Sequence, residues 1–258
     1  MAADAHGTPL HPNVLIEIRG QASQSYRLRL ALQPNPDCPR SQMLMVDFPS
    51  AQGIEILPRR LPGLLAVPKG AKGIVVFAHG SGSSRLSPRN THVARALNEK
   101  GLATLLFDLL LPEEAEDRRN VFDIALLGCR VEESLDWLRG EVTLARLAVG
   151  LFGASTGAAA ALTAAAHRPD QVSAVVSRGG RPDLAAGALA RVKAPTLLIV
   201  GGRDEVVIDL NETAMAELKC EKRLDIVPGA THLFEEPGTL DTVISLAAAW
   251  FVRFLGKA

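Results

Sequence analysis

A buried strand, a sharp turn and a helix follow one another around residue 155, and this order constrains the fold more than any other stretch. Residues 147–152 form an apolar run, and residues 158–166 are mostly alanine. Gly153-Ala-Ser155-Thr-Gly157 lies between them and matches Gly-x-Ser-x-Gly, the pattern of a nucleophile elbow. The two glycines let the strand turn tightly and let the helix pack close to its neighbour. The pattern therefore predicts a Ser155 hydroxyl raised above the end of a sheet.

Strands and helices alternate along the chain from residue 43 onward. Apolar runs such as residues 73–78 and 196–200 are typical of strands buried on both faces, and helical stretches separate them. This order predicts an α/β fold, a three-layer α/β/α sandwich whose twisted sheet is mostly parallel. Antiparallel strands within residues 43–67 precede the parallel part, and residues 177–195 are too few for a large cap domain. Ligands of such sheets bind at the carboxyl ends of the strands.

The first 42 residues do not continue this alternation. We interpret residues 1–42 as an N-terminal extension, made of a tail and an extra β-hairpin with strands at residues 14–19 and 26–32. Residues 43–258 then form the α/β domain.

Composition excludes several kinds of partner. The 28 Lys and Arg residues balance 28 Asp and Glu residues, so bulk charge does not favour nucleic acid or an acidic membrane. The longest Ala-rich run is too short to span a bilayer, and the chain starts without a signal-peptide pattern. The three cysteines are scattered, which argues against a disulfide framework or a zinc site. We expect a cytoplasmic protein that needs no metal or other cofactor.

Elimination among the six histidines favours His232 as a general base. Four histidines lie in the tail, inside a predicted helix or at the far end of the helix after Ser155: His6, His11, His92 and His167. His79 opens a Gly-rich loop to which we give another role. His232 follows the strand at residues 223–227 and precedes the last helix, so it lies at the carboxyl end of a strand.

An acidic residue follows the strand at residues 196–200, in Gly201-Gly-Arg-Asp204-Glu205. The glycines let the chain turn at once, and Asp204 is favoured over Glu205 as the acid because it is nearer the strand. A helix N-cap is the alternative role for Asp204, and Asp209 is expected to cap the next helix. The order Ser155, Asp204, His232 is that of the α/β-hydrolase catalytic triad and differs from the order in chymotrypsin or subtilisin.

Stabilising a tetrahedral intermediate requires two N–H groups aimed at its oxyanion. The Thr156 amide, at the start of the helix after Ser155, is the first predicted donor. The second is predicted in the loop at residues 79–84 (His-Gly-Ser-Gly-Ser-Ser), at Ser81 or, failing that, at Gly82. A phosphate cradle is the alternative for this loop, but the loop lacks both the Walker lysine and the Gly-x-Gly-x-x-Gly spacing.

These motifs carry a resemblance to a known family. They are His79-Gly-Ser-Gly82, Gly153-Ala-Ser-Thr-Gly157, Gly201-Gly-Arg-Asp204 and Gly229-Ala-Thr-His232. On them the chain resembles the α/β-hydrolase superfamily and, within it, the dienelactone hydrolase-like family of small, lidless members, over about residues 43–256. Dienelactone hydrolase itself uses a cysteine nucleophile where this chain has Ser155, so dienelactone is not expected as its substrate.

The resemblance implies a serine hydrolase, a carboxylesterase that cleaves small or accessible esters, lactones or thioesters through an acyl-enzyme. Two alternatives stay open: an acyltransferase or an amidase/peptidase with the same triad, and a non-catalytic ligand-binding scaffold. The expected partner is a small acyl compound, and the sequence leaves open whether the chain forms a homo-oligomer.

Three arginines near the predicted site favour an anionic substrate. Arg178 follows the strand at residues 172–177 and could pair with a substrate carboxylate. Arg85 and Arg89 flank the loop that carries Ser81, and Asp108 ends a strand on the same face and could pair with one of them. Gly82 of the same loop is also predicted to contact substrate.

Overall fold

The computed structural model describes residues 51–256, and within them eight strands form one sheet in the order β1-β2-β4-β3-β5-β6-β7-β8. The strands are β1 Gln52–Ile56, β2 Leu61–Ala66, β3 Gly73–Ala78, β4 Ala103–Phe107, β5 Ala148–Ala154, β6 Val172–Arg178, β7 Thr196–Gly201 and β8 Lys222–Val227. β2 is antiparallel to both β1 and β4, and every other neighbouring pair is parallel. The predicted fold class is therefore confirmed.

Helices fill the connections from β3 to β8, and one more helix follows β8. They are α1 Pro88–Glu99, α2 Pro112–Ala115, α3 Arg118–Phe122, α4 Ile124–Gly140, α5 Thr156–His167, α6 Ala186–Leu189, α7 Glu205–Glu217 and α8 Thr239–Leu255. A 3₁₀ turn, Pro182–Ala185, precedes α6. No helix in residues 51–256 is long and apolar enough to cross a membrane.

Two helix boundaries differ from the prediction. The sequence pattern predicts a single helix over residues 121–139, but the structure divides it at Asp123, because the Asp123 carboxylate accepts the Leu126 N–H at 2.9 Å and caps a new helix there. The pattern also predicts a helix over residues 210–218, and in the structure that helix begins at Glu205. Asp209 therefore lies inside α7 and does not cap it, so that prediction was wrong.

One apolar cluster covers each face of the sheet. Leu127, Val131 and the alanines of α5 pack on one face, and Phe251 and Leu255 of α8 pack on the other with residues of α1. All six residues of β3 are buried, as its continuous apolar run predicts. These two clusters make the three layers of the sandwich, and the described residues include no large cap domain.

The strands predicted at residues 14–19, 26–32 and 43–48 lie outside the described residues. The boundary between an extension and the α/β domain at residue 42 stays a prediction.

Candidate active site

Ser155 lies at the turn between β5 and α5 in a strained backbone conformation. Its φ is 51° and its ψ is −122°, a combination that costs a residue with a Cβ about 1–3 kcal/mol. The flanking glycines are required by close packing: a Cβ at Gly153 would lie 2.4 Å from the Ala158 Cα, and one at Gly157 would lie 2.2 Å from the Ala78 carbonyl oxygen. The local geometry is that of a nucleophile elbow, packed directly against the end of β3.

Asp204 and His232 meet through a short hydrogen bond. Asp204 Oδ2 lies 2.6 Å from His232 Nδ1, slightly shorter than the roughly 2.7–2.9 Å usual for a charge-assisted N–H···O bond. The two loops approach closely because position 201 is glycine: a Cβ there would lie 2.5 Å from the Ala230 carbonyl oxygen. Glu205, the other candidate acid, is exposed as the first residue of α7. The bond to Nδ1 leaves His232 Nε2 available to a second group.

The backbone at residues 178–179 places His232 beside the elbow. The Ser155 N–H donates to the Arg178 carbonyl oxygen at 3.3 Å, and a Cβ at Gly179 would lie 3.6 Å from His232 Cε1. The Ser155 hydroxyl makes no hydrogen bond to a described residue, and catalytic hydrogen bonds are often long before substrate binds. The elbow, the candidate base His232 and the candidate acid Asp204 therefore share one edge of the sheet.

The loop after β3 lies against the elbow. A Cβ at Gly80 would be 3.0 Å from the Ser155 Cβ, so only glycine allows this approach without a shift. The Ser81 N–H donates to the Thr156 hydroxyl at 3.0 Å, and Thr156 is buried. Both predicted oxyanion donors thus lie close to the start of α5. Thr156 is the first residue of that helix, and the Ser81 amide is hydrogen-bonded to its side chain. Gly82, the alternative donor, is exposed with a φ of 68°.

His79 fixes the two loops that border this edge. Its Nε2 accepts the Leu109 N–H at 3.1 Å, which requires that nitrogen to be unprotonated, and Nδ1 lies 2.9 Å from the Gly80 carbonyl oxygen. The ring is therefore neutral, with its hydrogen on Nδ1. Burial lowers the pKa of His79 below its ordinary value, which keeps the ring neutral. The histidine ties the Ser81 loop to the segment after β4.

Two of the three arginines are occupied by carboxylates of this chain. The Arg85 guanidinium pairs with Oδ2 of Asp108, and Oδ1 of the same carboxylate accepts the backbone N–H of Arg85 at 2.7 Å. Arg89 Nη1 lies 3.1 Å from Glu235 Oε1 on the surface. The pairing of Asp108 with one of these arginines, left open by the sequence, is with Arg85.

Arg178 is buried beneath the loop that carries His232. Its Nη2 lies 3.4 Å from Asn90 Oδ1, its guanidinium carbon lies 5.8 Å from the centre of the Phe234 ring, and no described carboxylate pairs with it. Burial, with a smaller effect from Arg89, lowers the pKa of Arg178 to about 10, so it stays charged at neutral pH. Its predicted contact with an anionic substrate stays a prediction.

A cavity of about 260 Å³ opens beside Ser81 and Thr156. Six apolar side chains form its wall: Leu109, Leu110, Pro112, Ala115, Val121 and Leu127. The sequence patterns did not identify this wall, because α2 and α3 are too short to show helical periodicity. Within residues 51–256 there is no group of three or more His, Cys, Asp or Glu residues that could hold a metal ion.

Comparison with protein families and curated proteins gives clear relatives. The Dienelactone hydrolase family model matches residues 61–250. A Mycobacterium tuberculosis protein (strain ATCC 25618 / H37Rv), provisionally named a phosphoribosyl transferase, is 59% identical over 198 residues, covering 77% of this chain and 45% of that protein. An uncharacterised protein of the same strain is 30% identical over 202 residues and 69% of each chain. This chain therefore spans less than half the length of the more similar relative.

Solved structures agree with the match to the Dienelactone hydrolase family model. A dienelactone hydrolase from Anabaena variabilis ATCC 29413 is 56% identical with a TM-score of 0.77, over 80% of this chain and 97% of that one. Est1E from Butyrivibrio proteoclasticus is 16% identical with a TM-score of 0.68, over 81% and 100% of the two chains. At that lower identity the likeness concerns the fold alone.

Proposed function

The chain belongs to the dienelactone hydrolase family, and on that premise we propose that it is a serine hydrolase acting on small or accessible carboxylic esters, including lactones and thioesters. The observation that carries the proposal is the 2.6 Å pair of Asp204 and His232 beside the strained Ser155. Sites of acyl transfer are recognised by this arrangement, in which an acid orients a base that lies beside the nucleophile.

In the proposed reaction, His232 Nε2 accepts the Ser155 proton while the Ser155 oxygen attacks the acyl carbonyl. Asp204 fixes the imidazole tautomer and stabilises the imidazolium. The imidazolium then gives its proton to the leaving alcohol as the ester bond breaks, and the acyl group remains on Ser155. Water, deprotonated by His232, attacks this acyl-enzyme, and the imidazolium then gives its proton to the Ser155 oxygen as the acyl bond breaks, which releases the acid and restores the Ser155 hydroxyl.

The negative charge of each tetrahedral intermediate is assigned to two amides, those of Thr156 and Ser81. Thr156 lies at the N-terminus of α5, where the helix dipole favours an anion. Ser81 lies on a loop whose approach to Ser155 depends on Gly80. Preorganised donors of this kind usually account for the largest share of the rate enhancement.

An acyltransferase or an amidase/peptidase would use the same groups. The acceptor that attacks the acyl-enzyme decides between a hydrolase and a transferase, so product analysis with added alcohols or amines separates them. Phosphoribosyl transfer, which the name of the longer relatives suggests, has no comparable support in the described residues. The loop after β3 has no lysine and lacks the Gly-x-Gly-x-x-Gly spacing of a phosphate-binding loop.

Labelling with a fluorophosphonate and hydrolysis of p-nitrophenyl acetate test the proposal. We expect the folded protein to be labelled at Ser155, and Ser155→Ala to lower kcat/KM by about 10³-fold or more. Ser245→Ala, the same substitution at an exposed residue of α8, is the matched control and should leave both results unchanged. A protein that is not labelled at Ser155, or whose Ser155→Ala variant stays fully active, does not work by this mechanism. Absence of turnover with every acyl substrate would favour the ligand-binding scaffold.

A further inference from the structure

The cavity beside the proposed oxyanion site has a chemical character that narrows the substrate class. Ser81 and Thr156, the residues assigned to the oxyanion, line it on one side together with the rest of the loop at residues 79–84, and the six apolar side chains named above form the remaining wall with Asp108. A carbonyl held on those two amides has two substituents, and one of them faces this cavity. The lining therefore selects that substituent, whether it belongs to the acyl or the alcohol part.

Asp108 is the one charged residue among the described residues that line the cavity, and its charge is neutralised by an ion pair with Arg85. Asp108 lines the cavity, but its carboxylate is occupied by the Arg85 guanidinium and the Arg85 N–H. No arginine or lysine lines the cavity in the described part of the chain. A charged substituent would lose its hydration there without gaining a partner, which is strongly unfavourable.

The dimensions limit the substituent as well. Leu109 and Leu127 are buried and form the floor, whereas Pro112 and Ala115 are exposed at the rim. At about 260 Å³, the cavity is smaller than the roughly 300–1,000 Å³ of typical ligand pockets, so it suits a short chain or a single ring. A longer chain would leave its end in water beyond the rim.

The wall is held in place rather than free to open. Arg130 of α4, itself buried, donates from Nη2 to Glu114 Oε1 of α2 at 2.6 Å, and the other oxygen of Glu114 accepts the Leu111 N–H at 2.9 Å. The Asn120 side chain of α3 donates to the Glu114 carbonyl oxygen at 2.8 Å. These bonds fix α2 and α3 against α4, so the size limit is built into the resting site.

From these observations we infer that the enzyme prefers neutral esters that carry one compact apolar group, such as a short aliphatic chain or a single ring. This inference rests on the proposed function and deepens it. It differs from the expectation of an anionic substrate, because the arginines that suggested one are paired or lie outside the cavity lining.

A series of p-nitrophenyl esters from acetate to decanoate tests the size limit, and the pair pentanoate and monoglutarate tests the charge at equal chain length. We expect kcat/KM to rise from acetate to about hexanoate and not to rise further up to decanoate, and the monoglutarate ester to be about tenfold or more slower than the pentanoate. A continued rise to decanoate, or a preference for the monoglutarate, would overturn the inference. The second result would instead support a role for Arg178.

Ala115→Phe tests whether this cavity is the one that binds the group. Because Ala115 is exposed at the rim, the substitution can fill the cavity without disturbing the core, and the ratio of hexanoate to acetate kcat/KM should fall about tenfold. Ala125→Phe is the matched control, since Ala125 is exposed on α4 and does not line the cavity. An equal ratio in both variants would refute the assignment. Fluorophosphonate labelling of Ser155 in each variant separates this failure from a failure of the proposed function.

Discussion

Thr156 offers the site two polar groups, its amide and its hydroxyl. The hydroxyl accepts the Ser81 N–H at 3.0 Å, and no described residue accepts the hydroxyl's own hydrogen. An oxyanion between the two amides would lie next to that hydrogen and could accept it. We therefore expect Thr156→Val to lower kcat by about tenfold or more with little change in KM.

Thr156→Ser is the control for this prediction, because it restores the hydroxyl on a smaller side chain and should recover most of the rate. Thermal unfolding of both variants shows whether packing has changed. A rise in kcat for Thr156→Val would mean that the hydroxyl blocks the oxyanion position, and an unchanged kcat would mean that it has no role.

The buried, neutral ring of His79 should make the stability of the protein depend on pH. Its pKa is lowered by burial, whereas in the unfolded chain the ring titrates near its ordinary value of about 6.5. As the pH falls below about 6.5, the unfolded chain binds a proton that the folded chain does not. The stability contributed by the neutral ring is complete above that pH, and it is lost as the pH falls toward the lowered pKa.

We expect the free energy of unfolding of His79→Gln, measured with urea between pH 7 and pH 5, to fall less steeply than that of the unaltered protein. Ser245→Ala, at an exposed residue of α8 without a titratable side chain, should keep the original slope. Parallel curves for the unaltered protein and His79→Gln would contradict the assignment of a neutral, buried ring.

The positions of individual side chains could be predicted only in part. Ser155, Asp204 and His232 were placed at one edge because each follows a parallel strand, and parallel strands all end at the same edge. The sequence predicted that Asp108 could pair with a nearby arginine but not which one, and the burial of Arg178 was not predictable. These contacts depend on how loops far apart in the sequence pack, which leaves no periodic pattern in the chain.

Gly150 shows how β5 and α8 depend on each other. A Cβ at this position would lie 2.5 Å from Cε1 of the Phe251 ring, which is fully buried, so the ring would have to move. Gly150→Ala should therefore destabilise the protein by about 1–3 kcal/mol. Gly53→Ala in β1, where nothing lies within 4 Å of the new carbon, should change stability by less than about 0.5 kcal/mol. Denaturant unfolding measures both, and equal effects would contradict this packing.

Long elements were predictable, and short ones were not. Continuous apolar runs identified β3, β5 and β7 because strands buried on both faces need apolar residues throughout. Helices α2 and α3, with four and five residues, were missed because so few residues cannot show a helical repeat. Their conformation is fixed by tertiary contacts, such as the bond from Arg130 to Glu114.

At the scale of the whole molecule, the sheet and every proposed site residue lie within residues 52–232. A chain that begins at Met43 should therefore unfold cooperatively and hydrolyse p-nitrophenyl acetate with an unchanged kcat. Circular dichroism and ester turnover measure these properties against the full chain. Loss of the folded state would show that the first 42 residues belong to the α/β domain and do not form a separate extension.

The apolar wall of the cavity comes from one continuous stretch, residues 109–127, which runs from the end of β4 into α4, whereas the proposed nucleophile, acid and base follow β5, β7 and β8. In the proposed enzyme, the apolar part of substrate recognition and the catalytic groups thus come from separate stretches of the chain. A lineage can diversify its substrates by exchanging that stretch while inheriting the reaction unchanged, and chimeras that graft it between family members offer a direct way to redirect the enzyme.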